Sequence, residues 1–250
     1  MAVELFDVQT GILGARPGER SVATAEDLVS TMARTGISGA VVRVAPADSE
    51  GDWTFSNRKL YEACAKHPEL VPCPVVVPNS GEDFASEEEQ VAEAISRGAG
   101  AAWVRMEADH WVVAEWLSDR LFGALTERRL PVYVAAGSLS PTGLAQLAGS
   151  FPDLPVIYAE VGYRDQRILL PLLERFGNIS LSIGKNYRVQ GGIEQSVRRL
   201  GAGRLLFGSG FPDAEPAGAM MQLLYADIAE DDKRQIGSGN IRRLMGEIRR

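Results

Sequence analysis

The sequence predicts an α/β fold of the (β/α)8 barrel type, a single domain over residues 1–250. Short apolar runs alternate with helical patterns from end to end, eight strands each followed by a helix. A chain of 250 residues is the usual size for eight such units. The rival, a doubly wound open sheet, wants GxGxxG after its first strand, and that fingerprint is absent. No linker, low-complexity tract or composition shift divides the chain.

The elements follow in order. Residues 3–9 alternate apolar positions as a strand does. Residues 24–34 place Leu28 and Met32 at helical spacing, with Thr24 as N-cap. The run GAVVRV within 38–44 is β-branched and apolar, as buried parallel strands are. A helix over 55–66 leads to VPCPVVV at 71–77, a strand whose prolines predict an irregular start. The helix at 87–97 runs from acidic to basic, the order its macrodipole favours. Then come AAWVRM at 101–106 with a helix at 113–128, and PVYVAA at 131–136 with a helix at 141–149. PVIYAE at 155–160 precedes a helix at 165–176, and ISLSI at 179–183 a helix at 192–200. The last strand, 205–208, is followed by helices at 216–228 and 231–245.

Composition narrows the function classes. The chain is 45% hydrophobic and 24% charged, the balance of a soluble globular protein. A net charge of −7 disfavours nucleic acid and acidic membrane surfaces as partners. Cys64 and Cys73 are too few for a disulfide framework or a structural zinc site; they read as buried thiols of a reducing, cytoplasmic compartment. The segment MAVELFDVQTG lacks the pattern of a signal peptide, and no apolar run approaches the ~18 residues of a membrane span. His67 and His110 are the sole histidines: the first reads as a helix-end residue, the second as a surface or lid residue.

In a barrel, chemistry gathers at the carboxyl ends of the strands. Those ends offer Asp7 and Gln9, Arg43, Arg105, Tyr133, Tyr158 and Glu160, Lys185, and Ser209 with Gly210. Strand alternation puts Asp7 and Gln9 on one face, and likewise Tyr158 and Glu160. Arg105 and Glu160 read as mouth-facing, because the alternative buries a charge against the helices. The parity of Arg43 leaves both faces open. The stretch RLLFGSGFPD, 204–213, ends its strand almost bare at Gly208 and Gly210. Phe211 and Pro212 interrupt the glycine run and remove a donor, which argues against a phosphate cradle.

The block "RLLFGSGFPD…DDKRQIGSGNIRRLMG" resembles the C-terminal part of the amidohydrolase superfamily, in its amidohydrolase-related branch. "LFDVQTG", "LYEACAKHPELVPCPVVVP", "ERRLPVYVAAG" and "FPDLPVIYAEVG" resemble further segments of that family, in the same order along the chain. The resemblance implies a barrel whose mouth holds one or two divalent metals, usually zinc. It also implies where the ligands fall: the His-x-His of strand 1 on Gln9 and Gly11, the strand-5 histidine on Ala135, the strand-6 histidine on Glu160, and the strand-8 aspartate on Gly210. All are replaced. Zinc needs three or four well-placed donors, and Glu160 with Asp7 would hold no more than a weak, hydrated Mg²⁺. No metal and no other cofactor is therefore expected, and Gly210 reads as a vacated position.

Two readings follow. The first is a metal-independent enzyme acting on a small anionic, carboxylate-bearing substrate, hydrolase-, lactonase- or lyase-like. Its catalytic candidates are Glu160, Asp7 and Tyr158; its binding candidates are Arg105, Lys185, Gln9, Tyr133 and Ser209. The second is a non-catalytic barrel that binds a small molecule or a protein partner. An enzyme or a ligand binder should keep an open pocket where Glu160 meets Arg105 or Lys185; a purely structural barrel could be plugged by Phe211 and Tyr187. The segment GKNYRVQGG, 184–192, reads as a lid or an ordinary loop. The apolar helix 216–228 packs on the core or supports a homo-oligomer.

Overall fold

In the computed structural model, residues 3–12, 23–44 and 53–250 are described. Their strands are β1 (Leu5–Ile12), β2 (Ile37–Val44), β3 (Leu70–Pro72), β4 (Ala102–Val104), β5 (Val132–Ala135), β6 (Val156–Ala159), β7 (Ile179–Ile183) and β8 (Leu205–Phe207). The helices that follow them are α1 (Ala25–Thr35), α2 (Trp53–Cys64), α3 (Glu87–Ser96), α4 (Glu115–Arg128), α5 (Pro141–Ser150), α6 (Gln166–Arg175), α7 (Gly192–Leu200) and α8 (Pro216–Leu224). Each strand pairs in parallel with the next, β1 to β3 in one run and β4 to β8 in another. Two seams join the runs. At one, the Trp103 N–H donates to Pro74 O at 2.7 Å and the Val76 N–H to Trp103 O at 3.1 Å. At the other, the Gly210 N–H donates to Gln9 O and the Gly11 N–H to Phe211 O, each at 2.9 Å. These bonds carry the sheet round into the (β/α)8 barrel.

Alternation along each strand splits the core into two layers. Phe6, Val41, Trp103, Tyr133, Ile157 and Leu206 fill the barrel. Leu5, Val42, Val104, Val134, Val156 and Phe207 face the helices. A strand covered on both faces needs a continuous apolar run, which is what GAVVRV and PVYVAA supply. Helix starts are fixed locally. Thr24 Oγ1 accepts the Asp27 N–H at 3.1 Å, and Asp27 Oδ2 accepts the Thr24 N–H at 2.9 Å, a capping box that contributes about 1 kcal/mol.

Two elements depart from the sequence reading. VPCPVVV yields a regular strand only over Leu70–Pro72, since its prolines lack ladder donors. The remainder is clipped by side-chain amides. Asn57 bonds both the N–H and the O of Val75 at 2.8 Å, and Gln90 both groups of Val77 at 3.1 Å. The last helix spans the expected residues without a break but is not α throughout: α9 (Glu230–Arg234) passes through a π-helical turn over Gln235–Gly239 into α10 (Asn240–Gly246). Asn240 Nδ2 donates to the carbonyls of Ala202 and Leu205, both at 2.8 Å, pinning α10 beneath β8. Ile241 and Leu244 of α10 join the inner layer, so the amino-terminal end of the barrel is plugged.

Cys64 and Cys73 are buried and unpaired, and burial pushes both thiols up to about 12. Among the described residues, no helix is long and apolar enough to cross a membrane. Helix α8 buries Ala219 and Leu223 while Met221 and the following Tyr225 face solvent.

Candidate active site at the barrel mouth

A cavity of about 160 Å³ lies at the carboxyl ends of the strands, bordered by Gln9, Arg43, Trp103, Glu160, Lys185 and Phe211 among others. Arg43 is the arginine of its lining. It follows Val41 by two positions near the end of β2, so it shares that residue's inward face, and it is only 8% exposed. Its guanidinium lies 4.1 Å from the ring centroid of Tyr133 and 4.9 Å from that of Trp103. Such π faces receive a cation favourably. Nη2 donates to Glu160 Oε1 at 2.9 Å, while the buried Nε has no hydrogen-bond partner among the described residues.

Glu160 reaches the mouth by an unexpected route. Alternation assigns it the face of Tyr158, and Tyr158 does point outward, into the layer beneath the helices. There burial raises its phenol pKa. Glu160 instead adopts φ +63°. This left-handed backbone costs a non-glycine residue about 1–2 kcal/mol and re-aims the side chain inward. Tyr133 donates its hydroxyl to Glu160 Oε1 at 3.3 Å. Burial holds the Tyr133 phenol pKa well above the usual value, against the pull of Arg43, so it stays a donor.

The bare end of β8 is occupied by other side chains. A Cβ on Gly208 would stand 2.4 Å from Ser182 Oγ and 2.8 Å from Gln9 Cβ. Gly210 takes φ +83°, and a Cβ there would meet Lys185 Cδ at 2.6 Å. The space where the family resemblance places an aspartate is filled by the stem of Lys185, whose Nζ pairs with Asp213 Oδ2 at 2.5 Å on the rim. Gln9 Oε1 accepts the Ser182 hydroxyl at 3.2 Å, and Gln9 Nε2 is buried without a partner among the described residues.

Of the eight residues nominated from sequence, Gln9, Glu160 and Lys185 border the cavity. The other five do not, each for a physical reason. Tyr158 faces outward, and Tyr133 lies under Arg43. Asp7 is fully buried below the mouth, where its Oδ1 accepts the N–H groups of Gln9 and Ser209, each at 2.9 Å. That carboxylate clasps β1 to β8, and burial raises its pKa. The register of β1 on β2 shifts between Asp7 and Thr10, which breaks the alternation expected of Asp7 and Gln9. Ser209 spends its N–H on Asp7 and its Oγ on the Phe211 N–H at 3.0 Å. Arg105 is turned to Asp109 in its own loop, Nε to Oδ2 at 3.1 Å and Nη2 to Oδ1 at 2.5 Å. Arg43, whose face the sequence left open, is the cation that meets Glu160. The signal was its parity with Val41, usable only once the inner layer was known.

The expected plug and lid also resolve. Phe211 borders the cavity, whereas Tyr187 is buried in the outer layer with its hydroxyl 3.0 Å from Ser196 Oγ. The segment 184–192 is held by Gln222 Nε2, which donates to Tyr187 O at 2.7 Å, and Asn186 Nδ2 reaches Glu160 O at 3.4 Å. His110 is an exposed turn residue with φ +54°.

The donor set does not suit a divalent metal. Among the described residues, no three His, Cys, Asp or Glu side chains converge. Of the two carboxylates that border the cavity among the described residues, Glu160 is already bonded to a guanidinium and a phenol, and Asp213 to the Lys185 ammonium.

No curated protein sequence matches the chain. Among solved structures, 2,6-dihydroxybenzoate decarboxylase from Rhizobium superposes with a TM-score of 0.72 at 16% identity, over 98% of this chain and 99% of that one. The 5-carboxyvanillate decarboxylase from Sphingomonas paucimobilis gives 0.74 at 12% identity, over 98% and 99%. A probable 2-pyrone-4,6-dicarboxylic acid hydrolase from Acinetobacter baumannii, with citric acid bound, gives 0.72 at 14%, over 98% and 100%. At these identities the likeness establishes the fold alone. The sequence carries the rest: the family described as "Amidohydrolase" matches residues 10–246, from the end of β1 through α10. This chain belongs to the amidohydrolase family.

Proposed function

We propose that the protein is a lyase- or hydrolase-like enzyme that acts on a small carboxylate-bearing compound without a metal. The observation that carries this reading is the pairing of unused donors with one strained acid. Gln9 Nε2 and Arg43 Nε lack acceptors at the cavity wall, and Glu160 holds a left-handed backbone to stand beside them. Buried donors without acceptors are costly and call for an acceptor from outside. Backbone strain of this kind collects at functional sites. Glu160 serves as general acid or base, the role that a partly exposed carboxylate between a cation and a phenol can fill. Arg43, Gln9 and Lys185 hold the anion. The solved relatives named for decarboxylation or hydrolysis of carboxylates support the substrate class.

The test is a panel of aromatic and pyrone carboxylates offered to chelator-treated protein, followed by carbon dioxide release and by ring opening. Metal-independent turnover that is lost in Glu160→Gln is expected. Turnover that needs an added divalent ion, or that persists unchanged in Glu160→Gln, would overturn the reading. Carboxylate binding with no turnover on any member would favour the non-catalytic alternative.

A further inference from the structure

We infer that Arg43 is the docking cation for the incoming carboxylate and that Glu160 is its internal placeholder, displaced from Arg43 when the ligand binds. The inference deepens the proposed function and rests on its substrate class, but it concerns binding and stands apart from catalysis.

The guanidinium itself shows the half-filled site. Nε and Nη2 form one edge of an arginine and together grip a carboxylate in parallel. Arg105 uses that edge fully, with Nε and Nη2 on the two oxygens of Asp109. Arg43 uses half of it: Nη2 holds Glu160 Oε1, and Nε stays empty. Glu160 meets Arg43 through Oε1 alone, which it shares with the Tyr133 hydroxyl, and its second oxygen does not bond Nε. A free carboxylate can take both nitrogens, and the adjacent Gln9 Nε2 offers a third donor on the same cavity wall. The rings of Tyr133 and Trp103 hold the guanidinium from its faces, so the edge remains in place when the partner changes. Glu160 side-chain exposure of 31%, against 10% for Arg43, gives the acid a route to swing out while the cation stays. Once released, Glu160 stands next to the bound anion.

The experiment measures benzoate binding by titration calorimetry at fixed ionic strength, with sulfate as a second anion. Its subjects are the full chain, Arg43→Gln, Arg43→Lys, Glu160→Gln, and the double variant Arg43→Gln/Glu160→Gln. Benzoate should bind Glu160→Gln at least tenfold more tightly, because its competitor is gone, and Arg43→Gln at least tenfold more weakly. Arg43→Lys should also bind weakly, since a point charge cannot grip both oxygens. The gain from Glu160→Gln should vanish in the double variant. Mere relief of charge repulsion would preserve that gain, and this outcome would overturn the placeholder. Benzoate affinity unchanged in Arg43→Gln and Arg43→Lys would overturn the docking role, as would sulfate binding equal to benzoate. If Arg43→Gln fails to fold, the Arg43→Lys and Glu160→Gln affinities still decide. Binding as expected without turnover would sink the proposed catalysis and leave this inference. Turnover that survives in Arg43→Lys with unchanged benzoate affinity would do the reverse.

Discussion

Arg43 and Arg105 are two buried arginines that share one ring, 4.9 Å and 5.3 Å from the centroid of Trp103. Each pairs with a carboxylate, yet they do different work. Asp109 lies four residues from Arg105, is mostly buried, and engages it through both oxygens. That pair is a bracket that closes its own loop. Glu160 lies 117 residues from Arg43, is nearly one third exposed, and meets it through one oxygen. That pair spans the barrel mouth and borders the cavity. The difference lies in the Nε–Nη2 edge: Arg105 fills it on Asp109 and leaves a buried Nη1 unpartnered among the described residues, whereas Arg43 leaves Nε of that edge open. A pair whose edge is filled stabilises, and one half-filled across a cavity is open to a ligand.

The comparison can be broken in several ways, and the largest expected effect is on turnover. Glu160→Gln should lower kcat by roughly 100-fold or more, the usual scale of a lost acid or base. Asp109→Asn should leave kcat within about threefold, as measured by steady-state kinetics on any substrate found. Stability should run the other way. Arg105→Met strands a buried Asp109 and should cost about 3 kcal/mol in urea unfolding. Arg43→Met should cost about 1–2 kcal/mol, because Glu160 can turn toward water. Asp7 sharpens the picture beneath the mouth. Asp7→Ala orphans two buried amides and should cost about 1–3 kcal/mol. Asp7→Asn keeps an acceptor and should cost less than about 1 kcal/mol.

Burial raises the folded-state pKa of Asp7, so its charged form is disfavoured in the fold. Its contribution to stability is best at low pH and falls as pH rises from the unfolded value through the raised one. The Asp7→Asn variant should therefore gain on the parent over that rise. The smallest effect lies at the plugged end. Glu4 accepts hydrogen bonds from Arg242 and Ser38, which hold its carboxyl below the usual range. Its stabilisation is present above the unfolded pKa and lost as pH falls through the lowered one. Because Glu4 is nearly half exposed, Glu4→Gln should cost less than about 1 kcal/mol near neutral pH. A pH series of urea midpoints checks both signs.

The sequence made the barrel legible because period and length are local quantities. Alternation, capping at Thr24 and the apolar runs are written in neighbouring residues. VPCPVVV misled over strand length because its clips, Asn57 and Gln90, lie outside the run. The final helix was legible in its span, while its π turn leaves no mark on the apolar spacing. The site was legible as a set of strand ends and as replaced positions, and Glu160, Gln9 and Lys185 do meet there.

By itself, then, the sequence determined eight strand–helix units and their order, and nominated the carboxyl ends of the strands as the place to look for a site. The tertiary structure decided which charges meet. A left-handed residue turned Glu160 against its strand's parity, a register shift parted Asp7 from Gln9, and closure of the barrel brought Arg43 to Glu160. The physical reason is range: backbone period is set within a few residues, while an ion pair 117 residues apart exists only after the ring has closed.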